Sequence, residues 1–343
     1  KRLFELVGLF EQQPRLQIQT RVIPDDDEGV LAAISSRPDI LVLGRVHKHQ
    51  AFWYENPGDE DSLWKKHFVF ERVRGESPTL VDVNKNGSPD LLTHWEGRWG
   101  FLTPVPKKPK RPWEFTPIGA DEQWPQFYHG QGIGDVNGDG RLDVLINDGW
   151  YEQPKPRENL LDARNTLFVD WPFHPMRFSQ DRGGAQMFVD DIDADGDADV
   201  ISSLHAHEWG LAWFEQYKEN GSIRFRQHRI MGDRSEEKKF GVAFSQPHAL
   251  DLADIDGDGL KDIVTGKRMW AHGPKGDVEP NADPVLYWFQ LTRSDKGEVR
   301  YVPHRIDAKS GVGVQVLALD VNGNKKTDIL TVSKLGTFVF LQK

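Results

Sequence analysis

Short apolar runs of three to six residues alternate with polar clusters along most of this chain. Val144-Leu-Ile follows one acidic cluster, and Ile263-Val-Thr follows another after His248-Ala-Leu-Asp-Leu-Ala. Runs this short, bounded by turn residues, predict β-strands rather than helices. A third run in each unit is aromatic and often ends in Glu or Gln. Examples are Phe52-Trp-Tyr-Glu-Asn, Gly149-Trp-Tyr-Glu-Gln, Leu211-Ala-Trp-Phe-Glu-Gln, Leu286-Tyr-Trp-Phe-Gln and Phe338-Val-Phe-Leu-Gln. A fourth alternates polar and apolar positions: His67-Phe-Val69, Thr116-Pro-Ile118, His228-Arg-Ile230 and His304-Arg-Ile306. Four short strands repeating about every 55 residues predict an all-β propeller of four-stranded antiparallel blades.

The cluster between the first two strands of a unit has its own pattern, D-x-[DN]-x-[DN]-G-x-x-D. Full copies run Asp82-Val-Asn84-Lys-Asn86-Gly-Ser-Pro-Asp90, Asp135-Val-Asn137-Gly-Asp139-Gly-Arg-Leu-Asp143, Asp191-Ile-Asp193-Ala-Asp195-Gly-Asp-Ala-Asp199 and Asp254-Ile-Asp256-Gly-Asp258-Gly-Leu-Lys-Asp262. A fifth keeps Asp320, Asn322, Asn324 and Asp328 but has Lys325 in place of the glycine. Calcium takes six to eight oxygens, and side chains at positions 1, 3, 5 and 9 with a carbonyl at 7 supply them if the loop turns sharply. These twenty residues are the expected structural Ca2+ ligands, with the fifth loop the weakest. A solvated Asx turn is the plainer reading of any single copy.

The units fall at about 26–73, 75–120, 127–180, 184–231, 246–307 and 311–343, with 16–23 as an N-terminal strand completing the last blade. Such closure would remove open sheet edges. Six blades are counted within one domain, 1–343; Gly8-Leu-Phe-Glu-Gln12 leaves room for a seventh. The first unit lacks the acidic loop but keeps Asp39 at the equivalent of its end. Pro-rich stretches at 103–112, 154–172 and 273–284 break the period and are expected to be surface loops.

Composition narrows the function. A net charge of −10 with no basic block disfavours nucleic acid and anionic membrane surfaces. No run approaches ~18 apolar residues, so none is expected to span a bilayer. No disulfide is possible without cysteine. The chain opens at Lys1 without an initiator methionine, which fits a processed or trimmed protein, and open calcium loops suit extracellular calcium levels. A secreted or periplasmic location is expected, and further domains in a longer native chain stay open.

The acidic loops and their flanking strands resemble the FG-GAP or VCBS-type calcium propellers, a likeness that covers nearly the whole chain. Integrin alpha-subunit heads share this loop type. The tryptophan-rich third strands and histidine-bearing fourth strands look more like bacterial secreted propellers, the propeller part of aldos-2-ulose dehydratase, and propeller polysaccharide lyases. That second resemblance implies a carbohydrate-active lyase or dehydratase.

Blade geometry says which residues meet. Acidic loops share one face, so the starts of first strands and the ends of second strands share the other. Six residues ahead of the first loop aspartate stand Glu76, His129, Ala185, His248 and Val314; the next step carries Gln186 and Gln315. Second-strand ends carry His47, His49, His94, His205, His207, Lys267, Arg268 and His272. Imidazole is the commonest ligand for zinc-like metals and titrates nearest neutrality. Some of His129, His207 and His248 are therefore expected to hold Zn2+ or another divalent transition metal on the axis. His94, Tyr128 and Arg268 join them as candidate catalytic groups, and Trp95, Trp209, Trp270, Lys267, Gln186, Gln315 and His49 are candidate sugar contacts. For each histidine, a hydrogen-bonded lining role is the plainer alternative; for third-strand tryptophans, blade packing is. The fourth-strand histidines His67, His174, His228 and His304 are read as packing. No serine-hydrolase elbow, zincin motif, Walker loop or dinucleotide fingerprint occurs. Two functions remain: elimination from a keto-sugar, keto-glycoside or uronate, or non-catalytic binding of glycan or protein.

Overall fold

The computed structural model describes residues 27–32, 39–44, 49–59, 62–105, 107–108, 110–120, 122, 124–155, 170–180, 183–294 and 297–343. The predicted strand at 16–23, the segment 8–12 and His47 lie outside them. The first sheet comprises β1 (Asp27–Ala32), β2 (Asp39–Gly44), β3 (Ala51–Glu55) and β4 (Lys65–Phe70). The second comprises β5 (Thr79–Val81), β6 (Asp90–Trp95), β7 (Arg98–Thr103) and β8 (Glu114–Pro117). Next come β9 (Gln131–Gly134), β10 (Asp143–Ile146), β11 (Gly149–Tyr151) and β12 (Phe173–Pro175). The fourth group is β13 (Gln186–Asp190), β14 (Asp199–Ser203), β15 (Leu211–Glu219) and β16 (Ser222–Met231). A short 3-10 turn and α1 (Glu237–Phe240) then lead to β17 (Pro247–Ala253), β18 (Asp262–Lys267), β19 (Leu286–Arg293) and β20 (Val299–Asp307). The last sheet has three strands, β21 (Val316–Leu319), β22 (Asp328–Ser333) and β23 (Gly336–Phe340). Within each group, consecutive strands pair antiparallel, which gives the meander predicted from the periodicity.

The third and fourth groups fuse into one eight-stranded sheet through a parallel pairing of β9 with β13, Gln186 opposite Gln131 and Met187 opposite Gly132. Glycine permits this approach. A Cβ on Gly132 would lie 2.1 Å from the Met187 carbonyl oxygen, and one on Gly134 would lie 2.5 Å from Val189 Cβ.

Apolar clusters form between neighbouring sheets. Leu41, Trp53, Leu91 and Trp113 join the first and second, and Ile201, Trp213, Ile263 and Phe289 join the fourth and fifth. Ile40 and Tyr54 of the first sheet pack with Leu319 of the last. First strands surround a cavity of about 120 Å³ that Gln186, Asp251 and Gln315 help to line.

Two side-chain devices recur. On outer strands, a histidine stacks on the tryptophan opposite it: His67 on Trp53, His174 on Trp150, His228 on Trp213 and His304 on Trp288, with centroids 4.4, 4.1, 4.5 and 4.5 Å apart. The far nitrogen then meets Glu55, Glu152, Glu215 or Gln290 two residues after that tryptophan. This explains both the aromatic-x-Glu/Gln ending and the packing role read for these histidines. The second device ties sheet to sheet. Gln153 Nε2 donates to Val83 O at 3.2 Å and Gln342 Nε2 to Ile255 O at 2.9 Å, each reaching an earlier acidic loop. Arg293 Nε does the same to Ile192 O at 2.6 Å.

Candidate functional site

The first, second, fourth and fifth acidic loops coil around their first aspartates. In the second loop, Asp135 Oδ1 accepts Asp139 N–H at 3.0 Å and Oδ2 accepts Gly140 N–H at 2.7 Å. Positions 4 and 6 are both left-handed throughout. At position 4 stand Lys85, Gly138, Ala194, Gly257 and Gly323, with φ between +56° and +83°; at position 6 stand Gly87, Gly140, Gly196, Gly259 and Lys325, between +66° and +90°. Lys325 therefore takes the turn expected of glycine, and its N–H reaches Asp320 Oδ2 at 2.7 Å, as those of Gly87, Gly140 and Gly259 reach their first aspartates. The left-handed demand at position 4 was not anticipated.

Position 9 does more than the ligand role predicted for it. Asp143 Oδ2 accepts Val136 N–H at 2.9 Å within its loop, and Oδ1 accepts Gln153 N–H from beyond β11 at 2.8 Å. Asp199, Asp262 and Asp328 repeat both bonds, and Asp39 makes the second to Asn56 N–H at 2.9 Å. Asp90 accepts Val83 N–H at 3.0 Å. Position 9 thus brackets loop to sheet, which explains why Asp39 persists without an acidic loop. Burial raises the carboxyl of Asp90 to about 6 and that of Asp199 to about 7 despite these bonds. The groups Asp191–Asp193–Asp199 and Asp254–Asp256–Asp262 bring carboxylate oxygens within 4.8 Å of one another. Such crowding of oxygens suits a divalent cation.

A second cluster gathers residues from four strand groups in three sheets. Glu76 and His129 precede β5 and β9, His248 lies on β17, Arg268 follows β18, and His207 lies in the turn after β14. His129 Nε2 and His207 Nε2 are 3.1 Å apart. The His248 ring centroid lies 4.9 Å from that of His129 and 5.2 Å from that of His207. Glu76 Oε2 lies 3.2 Å from His248 Nε2, 3.5 Å from Arg268 Nη1 and 3.7 Å from His129 Nδ1. Arg268 Nη1 donates to His248 Nε2 at 2.8 Å.

Burial sets the electrostatics. It pushes His207 down to about 3 and lowers His129 and His248, so all three rings are neutral at neutral pH. Burial alone would raise Glu76, but its polar surroundings, with the permanently charged Arg268 guanidinium 3.5 Å away, outweigh it and hold the carboxyl well below its usual range. Neutral rings are ready ligands. Zinc binds imidazole at about 2.0 Å, so tetrahedral ligand nitrogens stand about 3.3 Å apart; the His129–His207 spacing fits this. His248 fits only if Arg268 withdraws from Nε2 or if the ring offers Nδ1, which is buried and makes no hydrogen bond.

Backbone geometry around the cluster is tied through Gln246, a buried residue with φ of +57°. Its N–H donates to Glu208 O at 2.6 Å, its carbonyl accepts Arg268 N–H at 3.0 Å, and its amide donates to Val278 O at 3.0 Å. The segment 273–284 is more than the plain surface loop expected. It is pinned by Arg234 to Glu279 at 2.8 Å and delivers Asp277, whose side chain is 1% exposed. Asp277 Oδ1 accepts from His272 Nδ1 at 2.8 Å and lies 3.6 Å from His207 Nδ1.

Several candidates point elsewhere. His94 is buried against Trp99 with centroids 5.0 Å apart, and burial lowers it to about 3. Tyr128 donates to Asp148 Oδ2 at 2.9 Å, away from the histidines. Gln186 donates to Val314 O at 2.8 Å while accepting Leu250 N–H at 3.1 Å, and Gln315 donates to Pro78 O at 3.1 Å. Both amides therefore tie first strands together. Lys267 is 0% exposed, its Nζ donates to Arg268 O at 3.1 Å, and burial lowers it to about 8, so it supports the Arg268 turn from beneath. Trp95 packs edge-on between Phe70 and Phe115, and His49 sits edge-on to Phe127. Half-buried Trp209 carries the Arg234 guanidinium 5.4 Å above its ring, and Trp270 is half-buried beside Arg268 in the chain. His205 lies past the end of β14, so strand alternation does not align it with His207; its Nδ1 accepts His207 N–H at 3.1 Å instead.

Glu76 and Asp277 went unassigned. Glu76 shares the repeat offset of His129 and His248, which was the available signal. Asp277 lies in an off-period insertion and carried none.

Residues 191–265, from the third acidic loop to β18, match the FG-GAP-like repeat family. No curated protein matches the chain. Among solved structures, an Agrocybe aegerita lectin that specifically recognises non-reducing terminal N-acetylglucosamine is 15% identical. The likeness covers 92% of this chain and 75% of the lectin at a TM-score of 0.52. AofleA from Arthrobotrys oligospora is 12% identical over 89% of this chain and 79% of its own, with a TM-score of 0.44. The V. cholerae biofilm matrix protein Bap1 is 14% identical over 80% of this chain and 37% of its own, with a TM-score of 0.37. The fold shared with the lectin is a β-propeller. Among the described residues, no helix is long and apolar enough to cross a membrane.

Proposed function

We propose that this protein is a calcium-stabilised propeller that binds carbohydrate at the mouth formed by Glu76, His129, His207, His248 and Arg268. The observation that carries this reading is the convergence of these five polar groups from three sheets, away from the loops that suit calcium. An ionised Glu76 accepts hydroxyl protons, and Arg268 donates to hydroxyl or carboxylate oxygens. His129, His207 and His248 would hold a divalent transition metal, which would add a Lewis-acid contact for sugar oxygens. Trp270, two residues after Arg268, and the side of Trp209 not covered by Arg234 would offer apolar ring faces to a sugar. The sugar recognised by the Agrocybe aegerita lectin supports a glycan ligand for this architecture. The acidic loops would each hold Ca2+, with the Lys325 loop weakest. Six blades in one domain, closed between the first and last, are supported by the packing of Ile40 and Tyr54 against Leu319. A secreted or periplasmic setting follows from calcium loops this open.

A second reading is elimination by a carbohydrate lyase, favoured by the Arg268–His248 contact. A neutral His248 would take the proton beside a carbonyl or carboxylate once Arg268 turns to the enolate oxygen that forms. Collapse of the enolate would then break the neighbouring C–O bond to give the alkene, and the leaving oxygen would take a proton from the His248 imidazolium or from water. Glycan-array screening followed by calorimetry separates the readings from failure. Saturable binding of a glycan, abolished in Arg268→Ala with an unchanged melt, is expected. A folded protein that binds no glycan and yields no ultraviolet-absorbing unsaturated product from keto-sugars or uronates would sink both.

A further inference from the structure

His207 presents its two ring nitrogens to different neighbours. Nε2 faces His129 at 3.1 Å. Nδ1 is buried, makes no hydrogen bond and faces Asp277 Oδ1 at 3.6 Å. On that side, ligand atoms of His207, His272 and Asp277 all lie within 4.8 Å of one another. Asp277 is turned for ligation: Oδ2 accepts Ala271 N–H at 2.7 Å and His272 N–H at 2.9 Å, which leaves Oδ1 directed at both imidazoles. The His272 side chain is 59% exposed, so the group has an open side to solvent.

We propose that His207, His272 and Asp277 form a second site for a divalent transition metal, adjoining the one formed by His129, His207 and His248. Two imidazoles and a carboxylate with open positions is a ligand set that zinc-like ions accept. The ion takes the place of the His272 Nδ1 proton now shared with Asp277, and the neutral ring keeps its single proton on Nε2, so this ligand releases none. With both sites filled, His207 coordinates through both nitrogens as an imidazolate and releases its one proton to solvent. The proposal rests on the first site also holding metal. Its rival is an Asp277 that merely orients His207 behind a single ion. A separation of 3.6 Å with no hydrogen bond argues against orientation, as does the commitment of Oδ1 to His272.

The test is titration of the full chain with Co2+ in calcium-containing buffer after removal of transition metals. It is read by visible d–d absorption and by metal analysis after dialysis. Nitrogen-bound cobalt absorbs more strongly than cobalt in oxygen loops, so the loops do not obscure the count. Two nitrogen-bound equivalents are expected in the wild type, one in Asp277→Asn, one in His272→Ala and one in His129→Ala. A wild type that takes one equivalent, lost in His129→Ala and kept in Asp277→Asn, overturns the second site and leaves the first standing. A wild type that takes none overturns both. Two equivalents retained in both Asp277→Asn and His272→Ala also overturn the assignment, because the ions would then be elsewhere.

Discussion

Ala194 and Lys325 hold left-handed backbone at φ of +65° and +66°, where a Cβ costs roughly 1 kcal/mol or more relative to glycine. Ala194→Gly and Lys325→Gly are each expected to raise stability by about 0.5–1 kcal/mol, read as a higher Tm in calcium. A fall in both would show that the loops do not require this conformation. Asp251 is a second residue-scale case. Burial raises its carboxyl to about 7, although it accepts Ala318 N–H at 2.8 Å and Leu252 N–H at 2.9 Å. A raised carboxyl keeps its proton in the folded state, so its favourable contribution is full below about pH 4 and is lost as pH rises towards 7. The Tm of Asp251→Asn relative to wild type should therefore improve between pH 5 and pH 8; an unchanged difference would refute the assignment. The sequence offered no hint of this, because alternation along Leu250-Asp-Leu252 reads as a solvated position.

At the scale of the element, the acidic loop separates into two jobs that its pattern presents as one. Positions 1, 3 and 5 are the proposed cation ligands, whereas position 9 also holds loop to sheet through backbone N–H groups. Asp143→Ala leaves two such groups without acceptors, at about 1–3 kcal/mol each where buried. It should lower the Tm both in calcium and in chelator. Asp139→Ala should lower it in calcium alone. Equal effects of the two variants in chelator would contradict the division. The outer-strand histidines belong to this scale too. Their recurrence opposite tryptophan made them legible as packing, and the glutamate or glutamine partner completes the reason. Legibility failed where the repeat was broken. Asp277 sits in the Pro-containing insertion, and its contacts with His207 and His272 depend on chain paths that no period encodes.

For the whole molecule, period and composition were sufficient to read an all-β meander, because each unit must bury apolar residues against its neighbours. The meeting of His129, His207 and His248 was legible because the starts of first strands, which carry His129 and His248, share a face with the ends of second strands, beyond which His207 lies. The tuning of that meeting was not, because Gln246 and Arg268 act through single long-range hydrogen bonds. Sheets are strapped by Gln153, Gln342 and Arg293 reaching earlier acidic loops, so loop order and sheet order are coupled. Calcium removal is expected to lower the Tm by well over 5 °C in a single transition, since binding to the folded state alone adds stability by mass action. A melt indifferent to chelator would exclude structural calcium. Gln342→Ala, which cuts one strap, should narrow that calcium-dependent gap.

The seam between β9 and β13 has a mechanical consequence. His129 and His207 ride on one continuous sheet, while His248 and Arg268 ride on the next. Spreading those two bodies would leave the first pair of rings at a fixed gap and carry the third ring away with its guanidinium, so the mouth is built like a caliper, with one fixed jaw and one that slides.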